Sequence, residues 1–118
     1  MIAIQQYMLD NLAVEHTLAS LAERAHMSAR NMTRLFSKEC GIRPTLFLNN
    51  ARIDAARRYL ESTDLPLRDI ARWCGFDGTD GLRRTFQRRL QINPADYRSR
   101  FRSADSPDRR QDVVAHAR

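Results

Sequence analysis

The stretches TLASLAERAHMS (Thr17–Ser28) and PLRDIARWCGFD (Pro66–Asp77) are two versions of one pattern. At an offset of 49 residues Leu18 meets Leu67, Leu21 meets Ile70, Ala22 meets Ala71 and Ala25 meets Cys74. The segments C-terminal to these repeat as well. RLFSKECGIRPTLF (Arg34–Phe47) lies over RTFQRRLQINPADY (Arg84–Tyr97), with Arg34 on Arg84, Phe36 on Phe86, Pro44 on Pro94 and Phe47 on Tyr97, now at an offset of 50. The extra residue falls between the two blocks, where a turn belongs. Self-similarity at a fixed period marks a duplicated supersecondary unit.

Each copy reads as a short helix, a tight turn and a longer helix. Leu18, Leu21, Ala22 and Ala25 follow the spacing of a buried helical stripe, with Thr17 as N-cap. His26–Met27 makes the turn, and Ser28 caps a second helix that buries Met32, Leu35 and Phe36 and ends at Gly41. In the second copy Pro66 opens the short helix, Gly75 ends it, Asp77–Gly78 turns the chain, and Leu82, Phe86 and Leu90 face inward. Ala22 and Ala71 are small where two helices cross closely, which is the helix-turn-helix arrangement; an ordinary helical hairpin in a bundle is the alternative reading. Alternating β-branched runs do not occur, so the chain is expected to be all-α.

Between the copies, PTLFLNNARIDAARRYLEST (44–63) reads as one continuous helix. Leu46, Ile53, Ala56 and Leu60 form one apolar row, with Phe47, Ala51 and Ala55 beside it. Asp54–Arg58 and Arg57–Glu61 are expected as exposed (i, i+4) pairs. About 19 helical residues span roughly 28 Å, and one turn of B-DNA is about 34 Å, so this helix is long enough to hold two reading elements on one side of a duplex. Ile4, Tyr7, Met8 and Leu12 predict a leading helix. NPADYRSRF (93–101) predicts a trailing one, capped by Asn93, with Pro94 at its first position. The expected architecture is two helix-turn-helix subdomains joined by a long central helix, about seven helices in all. Its expected bounds are a domain over 1–101, with the first motif at about 17–39, the linker at about 44–62 and the second motif at about 66–90. Residues 102–118 are polar and contain proline and serine, and are expected to form a disordered tail.

Charge points to a partner class. The chain of 118 residues carries a formal charge of +6. Of its 20 basic residues, 19 are arginines and Lys38 is the sole lysine. Between Leu82 and Arg102 stand seven arginines (83, 84, 88, 89, 98, 100, 102) against one acid, Asp96. A planar guanidinium grips phosphate or a guanine edge with two bonds, and such density suits a polyanion-facing surface; a plain solvated face is the alternative. Two cysteines, Cys40 and Cys74, without a secretion signal suggest reduced thiols in the cytosol. MIAIQQYMLDN has neither a basic n-region nor a long apolar run, so neither a signal peptide nor a membrane span is expected. The three histidines lack zinc-ligand spacing with the cysteines, and no metal or other cofactor is expected. Nor do the residues suggest an enzyme: no nucleophile–base order can be placed, and no GK[ST] follows the glycines at 75, 78 and 81. A helical protein-interaction module with a basic face remains the rival to nucleic-acid binding.

The paired pattern LAERAHMSARNMTRLFSKECG, DLPLRDIARWCGFDGTDGLRRTFQRRL and INPADYRSRF resembles the DNA-binding domain of the AraC/XylS family of bacterial transcription regulators. The likeness covers residues 5–101, with wording nearest members whose sensor half is a DJ-1/PfpI-like domain. It implies sequence-specific binding to double-stranded DNA through two motifs in adjacent major grooves, in the cytoplasm. Some promoter activators also touch RNA polymerase while on DNA, and members of the family usually carry a separate N-terminal sensor or dimerisation domain, so the chain reads as either a domain of such a regulator or a short stand-alone member. It places the reading helices at 28–39 and 78–90. Arg30, Asn31 and Arg34 on the first, and Thr79, Asp80, Arg83 and Arg84 on the second, are then the candidate base-reading residues. Lys38, Arg88 and the helix starts at Thr17, Ser28 and Leu67 are the candidate phosphate contacts. Three departures stand out: Gly81 where the family carries a larger residue, Gln91 in place of a helix-ending glycine, and Asp80 on the side expected to face DNA.

Overall fold

Both copies of the repeat fold as the sequence pattern predicts. The computed structural model describes residues 1–104. Among them α2 (Leu18–Arg24) and α3 (Ala29–Cys40) form the first motif, and α5 (Leu67–Cys74) and α6 (Gly78–Leu90) the second. The linker α4 (Pro44–Ser62) runs between them, α1 (Ile2–Asp10) precedes and α7 (Pro94–Ala104) comes last. No strand occurs among the described residues.

Local chemistry sets the helix ends. Thr17 Oγ1 accepts the Ser20 amide at 3.0 Å and Ser20 Oγ accepts the Thr17 amide at 3.1 Å, a reciprocal cap on α2. Ser28 Oγ accepts the Asn31 amide at 3.1 Å at the start of α3. Pro44 and Pro94 open α4 and α7, where a missing N–H costs nothing.

The repeat is visible in the packing. The first core gathers Ile4, Met8, Leu21, Ala22, Met32, Phe36 and Leu48. The second gathers Ile53, Ala55, Ala56, Leu60, Ile70, Ala71, Cys74, Leu82 and Phe86. Phe36 meets Phe47 edge-on at 5.5 Å, and Phe86 meets Tyr97 in the same way at 5.5 Å. Ala22 and Ala71 are buried at the crossings in both halves.

Several side chains fall elsewhere than periodicity placed them. Leu46 is 40% exposed, and Leu48 is buried in its stead. At about 100° per residue Leu48 stands about 140° around the helix from Ile53, so the two cores sit on different faces of α4 and no single row describes it. Leu18 lies on the solvent side of its stripe. Leu12 lies beyond the end of α1, in the turn, where it packs against both cores. Trp73 leans edge-on against Tyr59 at 5.7 Å and remains 49% exposed.

The expected ion pairs on α4 are also rearranged. Asp54 meets Arg57 at 3.8 Å rather than Arg58. Arg57 Nε donates to the Tyr97 hydroxyl at 3.2 Å, and that hydroxyl donates to Glu61, so α7 is stitched into the pair. Arg98 Nε donates to Leu60 O at 3.3 Å and Arg102 Nη2 to Thr63 O at 2.6 Å, with Asp64 beside it. These bonds satisfy carbonyls at and just beyond the end of α4. They accompany a helix that runs to Ala104, past the 102 boundary expected from composition. Residues 105–118 of the expected tail lie outside the described residues.

Two positions test the backbone account. Gly75 ends α5 at φ +88°, and a Cβ there would stand 2.0 Å from Leu12 O. Gly75→Ala is expected to cost more than about 2 kcal/mol in chemical denaturation, from positive φ and collision together. Gln91 ends α6 at φ +59° where the first copy has Gly41 at φ +83°. Gln91→Gly is expected to add up to about 1 kcal/mol, seen as a rise of several degrees in thermal midpoint.

Candidate nucleic-acid interface

Burial of one side of α3 and α6 decides what the other side presents. On α3, Met32 and Phe36 are fully buried, while Arg30, Arg34 and Lys38 are exposed at successive intervals of four. They form one row along the outer face. Half-buried Asn31 accepts from Arg34 Nη2 at 2.7 Å through its side-chain oxygen, which aims the guanidinium along the helix. On α6, Leu82 and Phe86 are fully buried, and Asp80, Arg83, Arg84 and Arg88 are exposed, with Thr79 half-buried. Arg83 Nη1 lies 3.5 Å from Asp80 Oδ1. Both partners are exposed, so this pair is weak and can be exchanged for an outside anion.

The two rows superpose through the repeat. Arg30, Arg34 and Lys38 correspond to Asp80, Arg84 and Arg88 at the offset of 50. The middle and last positions are basic in both motifs, and only the leading position changes sign. A carboxylate there repels phosphate but accepts from cytosine N4, so the two motifs offer different chemistry at their leading turns. Gly81, buried behind Asp80, leaves a Cβ position only 3.2 Å from Asp77 Cβ, so this first turn of α6 is closely packed.

The helix starts nominated for phosphate differ. Pro66 caps α5 without a side-chain bond, and the amides of Asp69 and Ile70 turn to Pro66 O. The Leu67 and Arg68 amides therefore have no helical partner. The Thr17 and Ser28 oxygens already accept helix amides, which leaves each hydroxyl proton to donate.

Other arginines of the basic cluster serve the fold. Arg89 donates to Asn50 on α4, and Arg98 and Arg102 bind carbonyls at its C-terminal end. Sequence reasoning also missed Arg52, whose Nε and Nη2 donate to Leu12 O at 3.1 Å and Val14 O at 3.0 Å. Backbone carbonyls nearly 40 residues away leave no trace in local pattern. Burial pushes the Cys74 thiol up to about 11, so at neutral pH it is a protonated core group. No grouping of His, Cys, Asp and Glu suited to a metal ion occurs among the described residues, and no helix there is long and apolar enough to cross a membrane.

A duplicated short-helix, turn, long-helix frame with polar outer faces on both longer helices defines a helix-turn-helix protein. The family model described as a helix-turn-helix domain matches residues 21–100. A helix-turn-helix-type transcriptional regulator of Mycobacterium tuberculosis is 44% identical over 86 residues, covering 73% of this chain and 33% of that protein. The transcriptional activator RhaS of Citrobacter koseri is 32% identical over 89 residues, covering 75% of this chain and 32% of that one. Among solved structures, the DNA-binding domain of AdpA, a global transcriptional factor crystallised with a target DNA, is 32% identical with a TM-score of 0.84; the match covers 90% of this chain and 96% of that one. The chain belongs to the AraC/XylS family of helix-turn-helix regulators. It spans about a third of the length of the curated relatives it matches.

The sign change at the leading position has a measurable consequence. Asp80→Ala removes a negative charge and frees Arg83. It is expected to strengthen binding to random duplex DNA and to steepen the slope of log affinity against log salt by about one. An unchanged slope in a salt titration would show that this turn does not approach phosphate.

Proposed function

We propose that this chain binds double-stranded DNA in a sequence-specific manner and regulates transcription, with α3 and α6 entering adjacent major grooves. The observation that carries this reading is the repeated outer row, in which Arg34 and Arg84 occupy equivalent exposed positions above equivalent buried phenylalanines. The likeness to a domain solved on its target DNA supports it. The extent of the molecule, 54 Å in its longest direction, accommodates two elements one DNA turn of about 34 Å apart.

In this reading residues 1–101 form the binding unit, with motifs at 17–39 and 66–90 on the 44–62 linker. Arg30, Arg34, Arg83 and Arg84 fork onto guanine edges, Asn31 and Thr79 read neighbouring bases, and Asp80 accepts from cytosine. Lys38, Arg88, the Leu67 amide and the Thr17 and Ser28 hydroxyls hold phosphates and set register. The protein acts in the cytoplasm without catalysis, as an activator that touches RNA polymerase. Where the chain is part of a longer regulator, a sensor or dimerisation domain accompanies it.

Sites selected from a random DNA pool supply the probe. Arg84→Ala is expected to cut affinity for the selected site by about 1–3 kcal/mol while leaving random DNA nearly unchanged. Arg88→Ala should weaken both alike and flatten the salt slope by about one. Equal losses on both duplexes for Arg84→Ala would remove it from base reading. Failure of the wild-type chain to bind random duplex at low salt would favour a protein-interaction module instead.

A further inference from the structure

We propose that Arg52 fixes the separation and rotation of the two reading helices, and thereby the half-site spacing that the protein accepts. The proposal rests on the DNA-binding reading. Arg52 lies on α4 between Leu48, which belongs to the first core, and Ile53, which belongs to the second. Its guanidinium donates from two nitrogens to Leu12 O and Val14 O. Those carbonyls belong to the strap that leaves α1, whose Ile4 and Met8 are buried in the first core.

The same strap presses on the second subdomain. A Cβ built on Gly75 would stand 2.0 Å from Leu12 O and 2.5 Å from Arg52 Nε, so only a bare backbone fits beneath them. The Leu12 side chain meanwhile packs against both cores. Three elements thus meet at one point: the strap of the first subdomain, the linker, and the C-terminal cap of α5. That cap leads directly into α6, since the Phe76 amide closes on Ala71 O at 2.8 Å and Gly78 comes two residues later. A shift of the strap over Gly75 is therefore carried to the second reading helix.

Burial lowers the Arg52 pKa, but a guanidinium remains charged at any physiological pH. Charge-assisted bonds to two carbonyls fix it in direction as well as distance. Leu12 alone would hold the subdomains by an apolar contact that can slide. Arg52 adds the directional component. Both of its hydrogen-bonding nitrogens face acceptors of its own chain, so it is a positioning residue and not a base reader.

Spacing is the readout that a general loss of stability would not move. Adding one base pair shifts a half-site by about 3.4 Å and about 34°. Duplexes selected by the protein are rebuilt with one base pair inserted or removed between the half-sites, and with one half-site scrambled. Wild-type protein is expected to lose about tenfold or more in affinity for either change, comparable to a mismatched base pair. Arg52→Met keeps length and packing but no donors. It is expected to bind all three spacings within about threefold, with weaker peak affinity and a half-site affinity close to wild type. Arg52→Lys, which retains a charge and a donor, should fall between.

A wild-type spacing penalty that persists in Arg52→Met overturns the proposal. A wild-type protein that binds its selected duplex with no spacing penalty overturns both this proposal and the two-groove reading. Absence of any wild-type DNA binding overturns the functional reading itself. Should Arg52→Met fail to fold, residual dipolar couplings of the α3 and α6 amides in wild type and Arg52→Lys decide the matter. Independent alignment of the two helices in Arg52→Lys supports the proposal, and one shared alignment tensor in both proteins overturns it.

Discussion

Two hydrophobic cores close on different faces of one helix, and the rest of this molecule depends on that constraint. Leu48 at one end of α4 is buried with Met32 and Phe36, while Ile53, Ala56 and Leu60 are buried with Ile70, Leu82 and Phe86. A continuous α-helix cannot twist freely between these sites, because each residue added advances the face by about 100°. The number of residues between the two buried faces therefore sets the angle between the motifs. Burial of each core supplies the driving force. The helix converts that non-directional force into a defined relative orientation, which two separate motifs on a flexible linker would lack.

Arginine does two kinds of work in this chain, and the division is spatial. Arg52, Arg57, Arg89, Arg98 and Arg102 bind carbonyls, an amide, a phenol and a carboxylate of other elements. Those of Arg52, Arg57, Arg89 and Arg98 join α4 to the segments packed on it, and those of Arg102 hold α7 to the residues just past the end of α4. Arg30, Arg34, Arg83, Arg84 and Arg88 stand on the outer rows of α3 and α6. The first group spends its directional donors inside the protein. The second keeps its donors at the surface, where the nearby partners are the side chains of half-buried Asn31 and exposed Asp80, which an outside ligand can replace.

Duplication preserves packing more faithfully than surface. Phe36 and Phe86, Ala22 and Ala71, and Phe47 and Tyr97 retain their partners and even their ring geometry. The cap is preserved in shape but not in residue: Gly41 and Gln91 both take positive φ. The outer rows diverge, with Arg30 opposite Asp80. Close packing penalises a change of one methylene, whereas an exposed leading turn is free to vary in charge.

The sequence alone determined the all-α class, the helix-turn-helix repeat, the outward arginines of α3 and α6 and the helix caps. Each depends on periods of three and four residues or on turn chemistry within a few positions, and such local rules leave local signatures. Only the tertiary structure decided which apolar row of α4 is buried at each end, since periodicity cannot report two partners on two faces; this is why Leu48 is buried and Leu46 is not. It also decided which arginines of the C-terminal cluster serve the fold, and it revealed Arg52. Their acceptors are backbone carbonyls and side chains brought together across nearly 40 residues. A carbonyl is present at every position, so the sequence carries no mark of the one that will be used.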